Sequence, residues 1–209
     1  MHNILVAGAH GAVGKKIIAL LNASQYFTPI AMVRKEEYLN DFKKQNIKAV
    51  MADLTGDLTH AFKNIDKVIF AAGSGGDAVI EVDQEGAKKC IDEAKKAGVN
   101  KFVMLSSLGA DNPEDADDLK EYLKAKHNAD EYLKQSGLNY SIVRPGTLND
   151  NKGTEKIKLA IKLSEKGEIS RDDVAQTLVR SLHDEAPNNV TFEIIQGDTP
   201  IGKAFENIG

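Results

Sequence analysis

Short apolar runs alternate with amphipathic stretches along the first two thirds of the chain. The runs are rich in Val and Ile, as expected for strands that are buried on both faces of a sheet. Strands are predicted at about residues 2–7, 29–33, 47–51, 67–72, 100–106 and 139–144, and helices at about 12–23, 36–45, 59–63, 78–97 and 119–136. This alternation predicts an α/β fold with a doubly wound parallel sheet, right-handed crossovers and helices on both faces.

The last third of the chain has a different pattern. Residues 156–163 alternate apolar and polar positions, which fits a half-buried strand, although a short amphipathic helix is the alternative. Ser170 is predicted to cap a helix that runs to about residue 184. A further strand and a short terminal helix are predicted at 190–196 and 201–207. We expect a single domain, 1–209, with a small C-terminal lobe of about 147–209 folded onto its body.

The first predicted strand runs directly into a three-glycine turn. Gly8, Gly11 and Gly14 follow the spacing G-x-x-G-x-x-G, and a helical pattern begins within the motif. Gly8 would allow the tight turn, Gly11 the close approach of a pyrophosphate, and Gly14 the packing of the helix on the sheet. An ordinary strand-to-helix turn is the alternative. As a dinucleotide site, the turn would bind phosphate through Gly8, His10, Gly11, Ala12, Val13 and Gly14.

Residues after three other predicted strands extend this site. Arg34 and Lys35 stand where an acidic residue would favour NAD, and cations there suit the extra phosphate of NADP. Solvated loop cations are the alternative. Asp53, followed by Leu54, could accept a hydrogen bond from adenine or form an Asx turn. Small residues after the fourth strand would let the backbone pass close to ribose and pyrophosphate, or form a flexible loop: Ala71, Ala72 and Gly73.

A tyrosine and a lysine four residues apart could carry chemistry. Tyr122 and Lys126 share one face of a predicted helix. A lysine ammonium lowers the pKa of a nearby phenol, and it could also hold the nicotinamide ribose. The tyrosine could then exchange a proton with a substrate oxygen while hydride moves. Ser106 and Ser107 end the fifth strand, and one of them could orient the substrate, although the Tyr-x-x-x-Lys spacing also arises by chance.

Composition and charge narrow the class of protein. The chain has 42% hydrophobic and 28% charged residues and a net charge of −4, which favours neither nucleic acid nor membrane partners. Cys90 is the single cysteine, so internal disulfides and cysteine metal clusters are excluded, and a packing role is expected. No metal-ligand spacing, membrane span or targeting segment is recognised. We expect a cytoplasmic monomer or weak homodimer that binds a small molecule.

Together, the glycine turn, Arg34, Asp53, the strand-end serines and the Tyr-x-x-x-Lys pair resemble the short-chain dehydrogenase/reductase superfamily. The resemblance is to its atypical, NAD(P)-binding NmrA-like and epimerase-like branch, and it extends to residues 136–146 and 169–175. It implies a doubly wound Rossmann fold with a small C-terminal substrate lobe. It also implies NADP as the cofactor, with NAD less favoured.

The resemblance assigns roles to individual residues. Ser107 would face the substrate and Ser106 the cofactor, and Pro145 would border the nicotinamide. Asp83 stands where the superfamily usually has a catalytic Asn, and its charge puts the usual proton relay in doubt. An exposed helical acid is the alternative for Asp83.

The implied activity is that of an NADP(H)-dependent oxidoreductase or epimerase, with hydride transfer to a small carbonyl or quinone-like substrate. One alternative is a non-catalytic NADP(H) redox sensor that binds a protein partner, because the branch includes members that have lost active-site residues. Another is a reductase of flavins or quinones with a loose pocket. An acidic loop could cover the substrate and disfavour anions, or remain solvated and mobile: Asp111, Glu114, Asp115, Asp117 and Asp118.

Overall fold

Parallel strands form the centre of the structure, a computed structural model that describes residues 1–75, 78–116 and 119–208. The strands in these residues are β1 (His2–Ala7), β2 (Phe27–Val33), β3 (Lys48–Met51), β4 (Lys67–Phe70), β5 (Lys101–Leu105), β6 (Tyr140–Pro145), β7 (Thr147–Asn149), β8 (Lys156–Ala160), β9 (Glu168–Ser170), β10 (Val190–Gln196) and β11 (Thr199–Pro200). The main sheet has the order β11-β8-β10-β6-β5-β4-β1-β2-β3, and β7 pairs separately with β9. In this spatial order the seven strands β10, β6, β5, β4, β1, β2 and β3 are parallel to one another. β8 runs antiparallel to both of its neighbours, β10 and β11.

Helices cover both faces of this sheet. They are α1 (Ala12–Asn22), α2 (Glu36–Lys44), α3 (Ala87–Lys96), α4 (Lys120–Gln135), α5 (Arg171–Arg180) and α6 (Ile201–Ala204). A π-helix and three 3-10 turns complete the set at Val79–Gly86, Thr59–Phe62, Pro113–Asp115 and Phe205–Asn207. Within the part of the chain that the structure describes, none of these helices has the length and apolar character needed to cross a lipid bilayer.

Strand β1 shows why the sheet carries helices on both faces. Its residues from Ile4 to Ala7 are fully buried. Ile4 and Val6 belong to the apolar layer that includes α1 and α5, whereas Leu5 and Ala7 belong to the layer that includes α3 and α4. Because successive side chains of a strand point to opposite faces, a continuous apolar run fits a strand covered on both sides. Burying each large aliphatic side chain contributes about 1.5–3 kcal/mol.

The order of the strands reverses next to β1. β2 and β3 lie on one side of it, and β4, β5 and β6 lie on the other. In open α/β sheets the chain leaves such neighbouring strands in opposite directions, and a crevice forms at their carboxyl ends. The predicted site residues lie after β1 to β5 in the chain or, for Pro145, at the end of β6, so the fold collects them along one edge of the sheet.

The segment 147–209 largely extends the central sheet. β10 pairs in parallel with β6, and β8 and β11 continue the sheet beyond it. The strand interpretation of residues 156–163 is confirmed over Lys156–Ala160, where Ile157 and Leu159 of β8 are buried, and the strand ends three residues before the predicted end. Ser170 caps α5 as expected, since its hydroxyl accepts a hydrogen bond of 3.0 Å from the backbone N–H of Asp173.

Two predicted helices differ from those observed. The predicted helix at 78–97 is divided into the π-helix Val79–Gly86 and α3. The wider turn of a π-helix changes which side chains face the protein, and π-helical segments often occur at functional sites. α5 ends at Arg180, four residues before the predicted end. The strands β7, β9 and β11 have three residues or fewer, which is too short for apolar periodicity to reveal them.

Candidate functional site

Gly8 and Gly14 occupy positions where a side chain does not fit. Gly8 has a φ of +83°, and a Cβ there would lie 2.6 Å from backbone atoms of Ala72. A Cβ on Gly14 would lie 2.1 Å from the carbonyl oxygen of Gly8. The Gly11 N–H donates to that same oxygen at 3.0 Å. The turn therefore brings the ends of β1 and β4 and the start of α1 into direct backbone contact.

The N-terminus of α1 can receive an anion. Gly11 is its N-cap, so no side chain caps the helix, and no acidic residue lies in the first turn. The backbone of Ala12 and Val13 begins that turn. Unpaired N–H groups and the positive end of the helix dipole both favour a phosphate at such a terminus. The glycine turn thus has the form of a cradle that a Cβ would fill.

A cleft of about 410 Å³ lies beside this turn, at the carboxyl ends of β1 to β4. Many predicted cofactor-binding residues line it: Gly8, His10, Gly11, Arg34, Asp53, Leu54, Ala71, Ala72 and Gly73. Further lining residues were not indicated by the motifs: Met32, Val33, Tyr38, Ala52, Ser74, Ala78 and Val82. The volume is within the usual range for small-molecule sites. Its mixture of glycines, small residues and one guanidinium fits the adenosine and phosphates of a dinucleotide.

Arg34 and Lys35 have different surroundings, although the sequence paired them. Arg34 is exposed and lines the cleft. Lys35 does not line it, so its predicted place beside the cofactor is not observed. The Lys35 ammonium lies 3.7 Å from the carboxylate of Glu37 and 5.4 Å from the ring centroid of Tyr38. The guanidinium of Arg34 is therefore the cation available to a phosphate in the cleft.

Asp53 forms the Asx turn that was one of the two roles considered for it, and it also faces the cleft. Its Oδ1 accepts hydrogen bonds from the backbone N–H and the hydroxyl of Thr55, at 2.8 and 2.7 Å, which forms an Asx turn. These hydrogen bonds hold the pKa of the Asp53 carboxyl below its ordinary value. The residue also lines the cleft, and so it stays ionised there as a hydrogen-bond acceptor.

Tyr38 is a wall residue that the sequence motifs missed. It lies in the first turns of α2, four positions after Arg34, and its ring stacks on that of His10. The two ring centroids are 3.4 Å apart and the planes differ by 8°. An aromatic residue one turn beyond a strand-end arginine was the available signal, but Tyr38 also fits the partly buried face of an ordinary amphipathic helix.

A second cavity, of about 650 Å³, is lined by two of the four predicted catalytic residues. Ser107, Tyr122 and Pro145 line it, together with apolar residues that include Leu119 and Leu148. Pro145 thus borders this cavity and not the first cleft. The Ser107 hydroxyl donates only a long hydrogen bond of 3.4 Å, to the neighbouring carbonyl oxygen of residue 108. It is therefore free to reorient towards a bound molecule.

Asp83 and Lys126 join the cleft to this cavity. Asp83 Oδ2 accepts hydrogen bonds from the backbone N–H and the hydroxyl of Ser74, at 3.0 and 2.8 Å. The ammonium of Lys126 lies 3.0 Å from Asp83 Oδ1, and both side chains are almost fully buried. The same ammonium lies 5.5 Å from the ring centroid of Tyr122. Asp83 is therefore a buried partner of Lys126, and the exposed-acid alternative is wrong.

Ser106 does not line either cavity, contrary to the role expected for it beside the cofactor. Its hydroxyl donates to Asp130 Oδ2 at 2.8 Å. The guanidinium of Arg144 donates to the same oxygen, from Nε at 3.0 Å and Nη2 at 2.8 Å. Burial raises the pKa of the Asp130 carboxyl, and Arg144 and Ser106 oppose that rise. These residues form a buried cluster between α4, β5 and β6.

The acidic loop forms part of the second cavity. Asp111 and Asp115 line it, and Asp111 forms an ion pair with Lys162. Lys162 also lies 3.3 Å from Oε1 of Glu193, a buried residue of β10 that the sequence did not indicate as functional. A carboxylate within an apolar strand was the available signal. In the rest of the loop, Glu114 pairs with Lys120, and the structure does not describe Asp117 and Asp118.

Comparison with known proteins agrees with this geometry. The family described as NAD(P)H-binding matches residues 8–185. The chain belongs to this NAD(P)H-binding family. Its matched region contains the glycine turn, the residues that line the cleft, and all of those that line the second cavity except Glu193. The atypical short-chain dehydrogenase/reductase resemblance is therefore supported over most of the chain.

Some relatives of this chain are named as epimerases and others as oxidoreductases. The chain is 40% identical over 213 residues to a Bacillus subtilis protein named uncharacterized sugar epimerase YhfK, and the match covers 98% of this chain and 99% of that one. A Bacillus halodurans structure, provisionally named an NAD-dependent epimerase/dehydratase, has a TM-score of 0.93 and 39% identity, with 99% of both chains covered. The oxidoreductase ylbE from Lactococcus lactis has a TM-score of 0.88 and 31% identity, with 98% of this chain and 95% of that chain covered.

Proposed function

We propose that this protein is an NADPH-dependent reductase that transfers a hydride to a small, uncharged carbonyl or quinone-like compound. The main support is the buried link between the dinucleotide cleft and the second cavity. Ser74 lines the cleft and donates to Asp83, which pairs with Lys126. Lys126 in turn lies beside Tyr122, which lines the cavity. Cofactor and substrate would thus occupy two adjoining spaces with the acid–base pair between them.

The preference for NADPH is inferred from Arg34. This residue follows β2, the position at which Rossmann proteins distinguish the ribose hydroxyls of NAD from the 2′-phosphate of NADP. A guanidinium offers several N–H donors in one plane, which match phosphate oxygens. Asp53, the acid on the neighbouring strand end, is engaged by Thr55. The cleft therefore favours the phosphate-bearing form of the cofactor.

Three side chains would carry the proton chemistry. When bound, NADPH supplies the hydride. The hydroxyl of Ser107 would donate to the substrate oxygen, and the phenol of Tyr122 would transfer its proton to that oxygen as hydride reaches the carbon. The nearby positive charge of Lys126 would stabilise the phenolate that remains until solvent returns a proton. The carbonyl thus gains one hydride and one proton and becomes an alcohol.

The charge of the second cavity favours reduction over nucleotide-sugar epimerisation. Four carboxylates and two ammonium groups line it in the described residues: Asp111, Asp115, Glu165, Glu193, Lys162 and Lys166. Lys162 already pairs with two of those carboxylates. A nucleotide sugar would bring two phosphate charges against this net negative wall, whereas an uncharged acceptor would not. The oxidoreductase name of the Lactococcus lactis relative agrees with this choice.

A comparison of two tyrosine variants tests the proposal. NADPH oxidation by wild type is first followed with a panel of quinones, aldehydes and ketones. The acceptor that is reduced fastest is then used to assay each variant. Tyr122→Phe should lower kcat by about 10²–10⁴-fold, with NADPH affinity unchanged. Tyr132→Phe on the same helix is the control, because its hydroxyl donates to the surface residue Asp92 and Tyr132 is not among the described residues that line either cavity. Equal turnover of both variants would refute the role of Tyr122.

A nucleotide-dependent regulator is the second candidate. It is favoured by the pairing of Lys126 with Asp83, since a lysine held by a buried carboxylate is less available to a cofactor ribose. In that case the protein would bind NADPH without turning over any acceptor. A protein partner whose affinity differs between the NADPH and NADP⁺ forms would support this function, and partner affinity that ignores the cofactor would exclude it.

The physical state is inferred from the surface. Large exposed apolar residues in the described part of the chain are spread over several segments of the sequence: Met1, Tyr26, Met51, Ile80, Leu119, Tyr132 and Ile161. We therefore infer a monomer or weak homodimer, and we further propose that it acts as one domain in the cytoplasm. Light scattering at micromolar concentration would show a mass near 22.7 kDa for the monomer.

A further inference from the structure

The stacked rings of His10 and Tyr38 form part of the wall of the dinucleotide cleft. His10 belongs to the glycine turn, and Tyr38 belongs to α2, one turn beyond Arg34. All three residues line the same cleft. The Tyr38 ring lies flat against the imidazole, with the ring centroids 3.4 Å apart, and so fixes the plane of the imidazole within the cleft that Arg34 also lines. A histidine in this position can donate a hydrogen bond to a phosphate that Arg34 also binds.

The charges around His10 set its protonation. Partial burial and the Lys15 ammonium hold the pKa of His10 below its ordinary value, so the free protein carries a neutral imidazole at pH 7. The charged groups that face it come from α1, from the β2–α2 connection and from α2: Lys15, Lys35, Glu37 and Asp41. The aromatic face of Tyr38 favours a cation over a neutral ring. A phosphate dianion bound beside the imidazole would act in the same direction.

We propose that His10 selects for the 2′-phosphate of NADPH together with Arg34, and that it does so as an imidazolium that takes up its proton when the phosphate binds. The inference rests on the proposed NADPH preference and adds to it a second selecting residue and a pH dependence. NADH has no 2′-phosphate and would bind to the neutral imidazole. Selection for NADPH over NADH should therefore become stronger as the pH falls from 8 towards 6.5.

The direction follows from proton linkage. A group whose pKa is higher in the complex than in the free protein takes up a proton on binding. Binding therefore becomes stronger as the pH falls from above the pKa in the complex towards the pKa in the free protein. An imidazolium–phosphate contact should thus raise the preference by about fivefold over this range. Protonation of the 2′-phosphate dianion as the pH falls weakens its binding and so opposes the effect. This loss is less than about twofold at pH 6.5, because the second pKa of the phosphate is about 6. In the His10→Asn variant the protonation of the phosphate still affects binding, whereas the protonation of the imidazole no longer does.

Two ligands that differ only by the 2′-phosphate isolate this contact from the nicotinamide and from catalysis. Adenosine 2′,5′-bisphosphate and adenosine 5′-monophosphate are titrated by calorimetry into wild type and His10→Asn. Titrations are made at pH 8 and pH 6.5, in buffers with different ionisation heats. We expect net proton uptake with the bisphosphate in wild type only, and a preference that rises about fivefold in wild type but not in the variant.

Variants of the second ring test the stack. Tyr38→Phe keeps the aromatic face and should bind the bisphosphate like wild type, whereas Tyr38→Leu should weaken the bisphosphate more than the monophosphate. If the bisphosphate is preferred without proton uptake or pH dependence, the inference fails and the NADPH preference from Arg34 stands. If wild type does not distinguish the two ligands at either pH, both the inference and the cofactor preference fail.

Discussion

Replacing Asp83 with Ala removes the carboxylate that links the cleft to the second cavity. Asp83 is 1% exposed and Lys126 is 4% exposed, and their charged atoms lie 3.0 Å apart. Truncating one partner of a buried ion pair leaves an uncompensated charge, which costs about 3–5 kcal/mol. In a protein of this size each kcal/mol lowers Tm by about 2–4 °C, so we expect a fall of roughly 10 °C.

Urea denaturation measures this cost, and a double-mutant cycle separates the pair from other contacts. Asp83→Ala is combined with Lys126→Met, and the double variant should lose less free energy of unfolding than the sum of the single variants, by about 1–3 kcal/mol. Asp41→Ala is the control, because its pair with Lys44 is more than half exposed and should contribute at most about 1 kcal/mol. Equal losses for Asp83→Ala and Asp41→Ala, or strict additivity in the cycle, would refute the buried link.

Three further predictions follow from the same geometry. Gly14→Ala should cost about 3 kcal/mol or more and abolish NADPH binding, because its Cβ would lie 2.1 Å from a backbone oxygen; Gly202→Ala, which has open space, should have little effect on denaturation or binding. Hydrogen bonds from Lys16 and a backbone N–H lower the pKa of Asp172, so its stabilisation is present at neutral pH and lost in acid. Asp172→Asn should therefore lower Tm at pH 7 but not at about pH 2.5. Ser106→Ala should reduce stability by about 1–3 kcal/mol and leave KM unchanged, whereas Ser107→Ala should reduce kcat and leave stability unchanged.

The framework of the site could be predicted from local sequence because its causes are local. The strand–glycine turn–helix order, the periodicity of the apolar runs and the cap at Ser170 each depend on neighbouring residues. The close approach at Gly14 follows from the same turn, because it is to the carbonyl oxygen of Gly8, whereas the close approach at Gly8 is to Ala72 and depends on the pairing of β1 with β4. The π-helix that interrupts the predicted helix could not be predicted from the sequence. It contains Asp83, whose contact with Lys126 depends on tertiary packing and not on local helix propensity.

The misplaced and missed residues depend on contacts that are distant in sequence. Ser106 bonds to a carboxylate 24 positions away, and adjacency to Ser107 gave no sign of that. Lys35 was grouped with Arg34 by sequence, but a helical neighbour attracts its ammonium away from the cleft. Glu193 reaches the second cavity from β10, whose place in the sheet depends on the crossover topology. A sequence motif identifies residues that are capable of a given chemistry, whereas tertiary packing determines which of those side chains line the site.

The most direct test of the account is a calorimetric titration of the protein with NADPH and with NADH, in wild type and in Arg34→Ala. Each 1.4 kcal/mol of phosphate contact corresponds to a factor of about ten in affinity. We expect NADPH to bind at least about tenfold more tightly than NADH in wild type, and most of this preference to be lost in the variant, with only the part that His10 contributes remaining, while NADH affinity is retained. Absence of binding by either nucleotide, or equal affinities in wild type, would contradict the account.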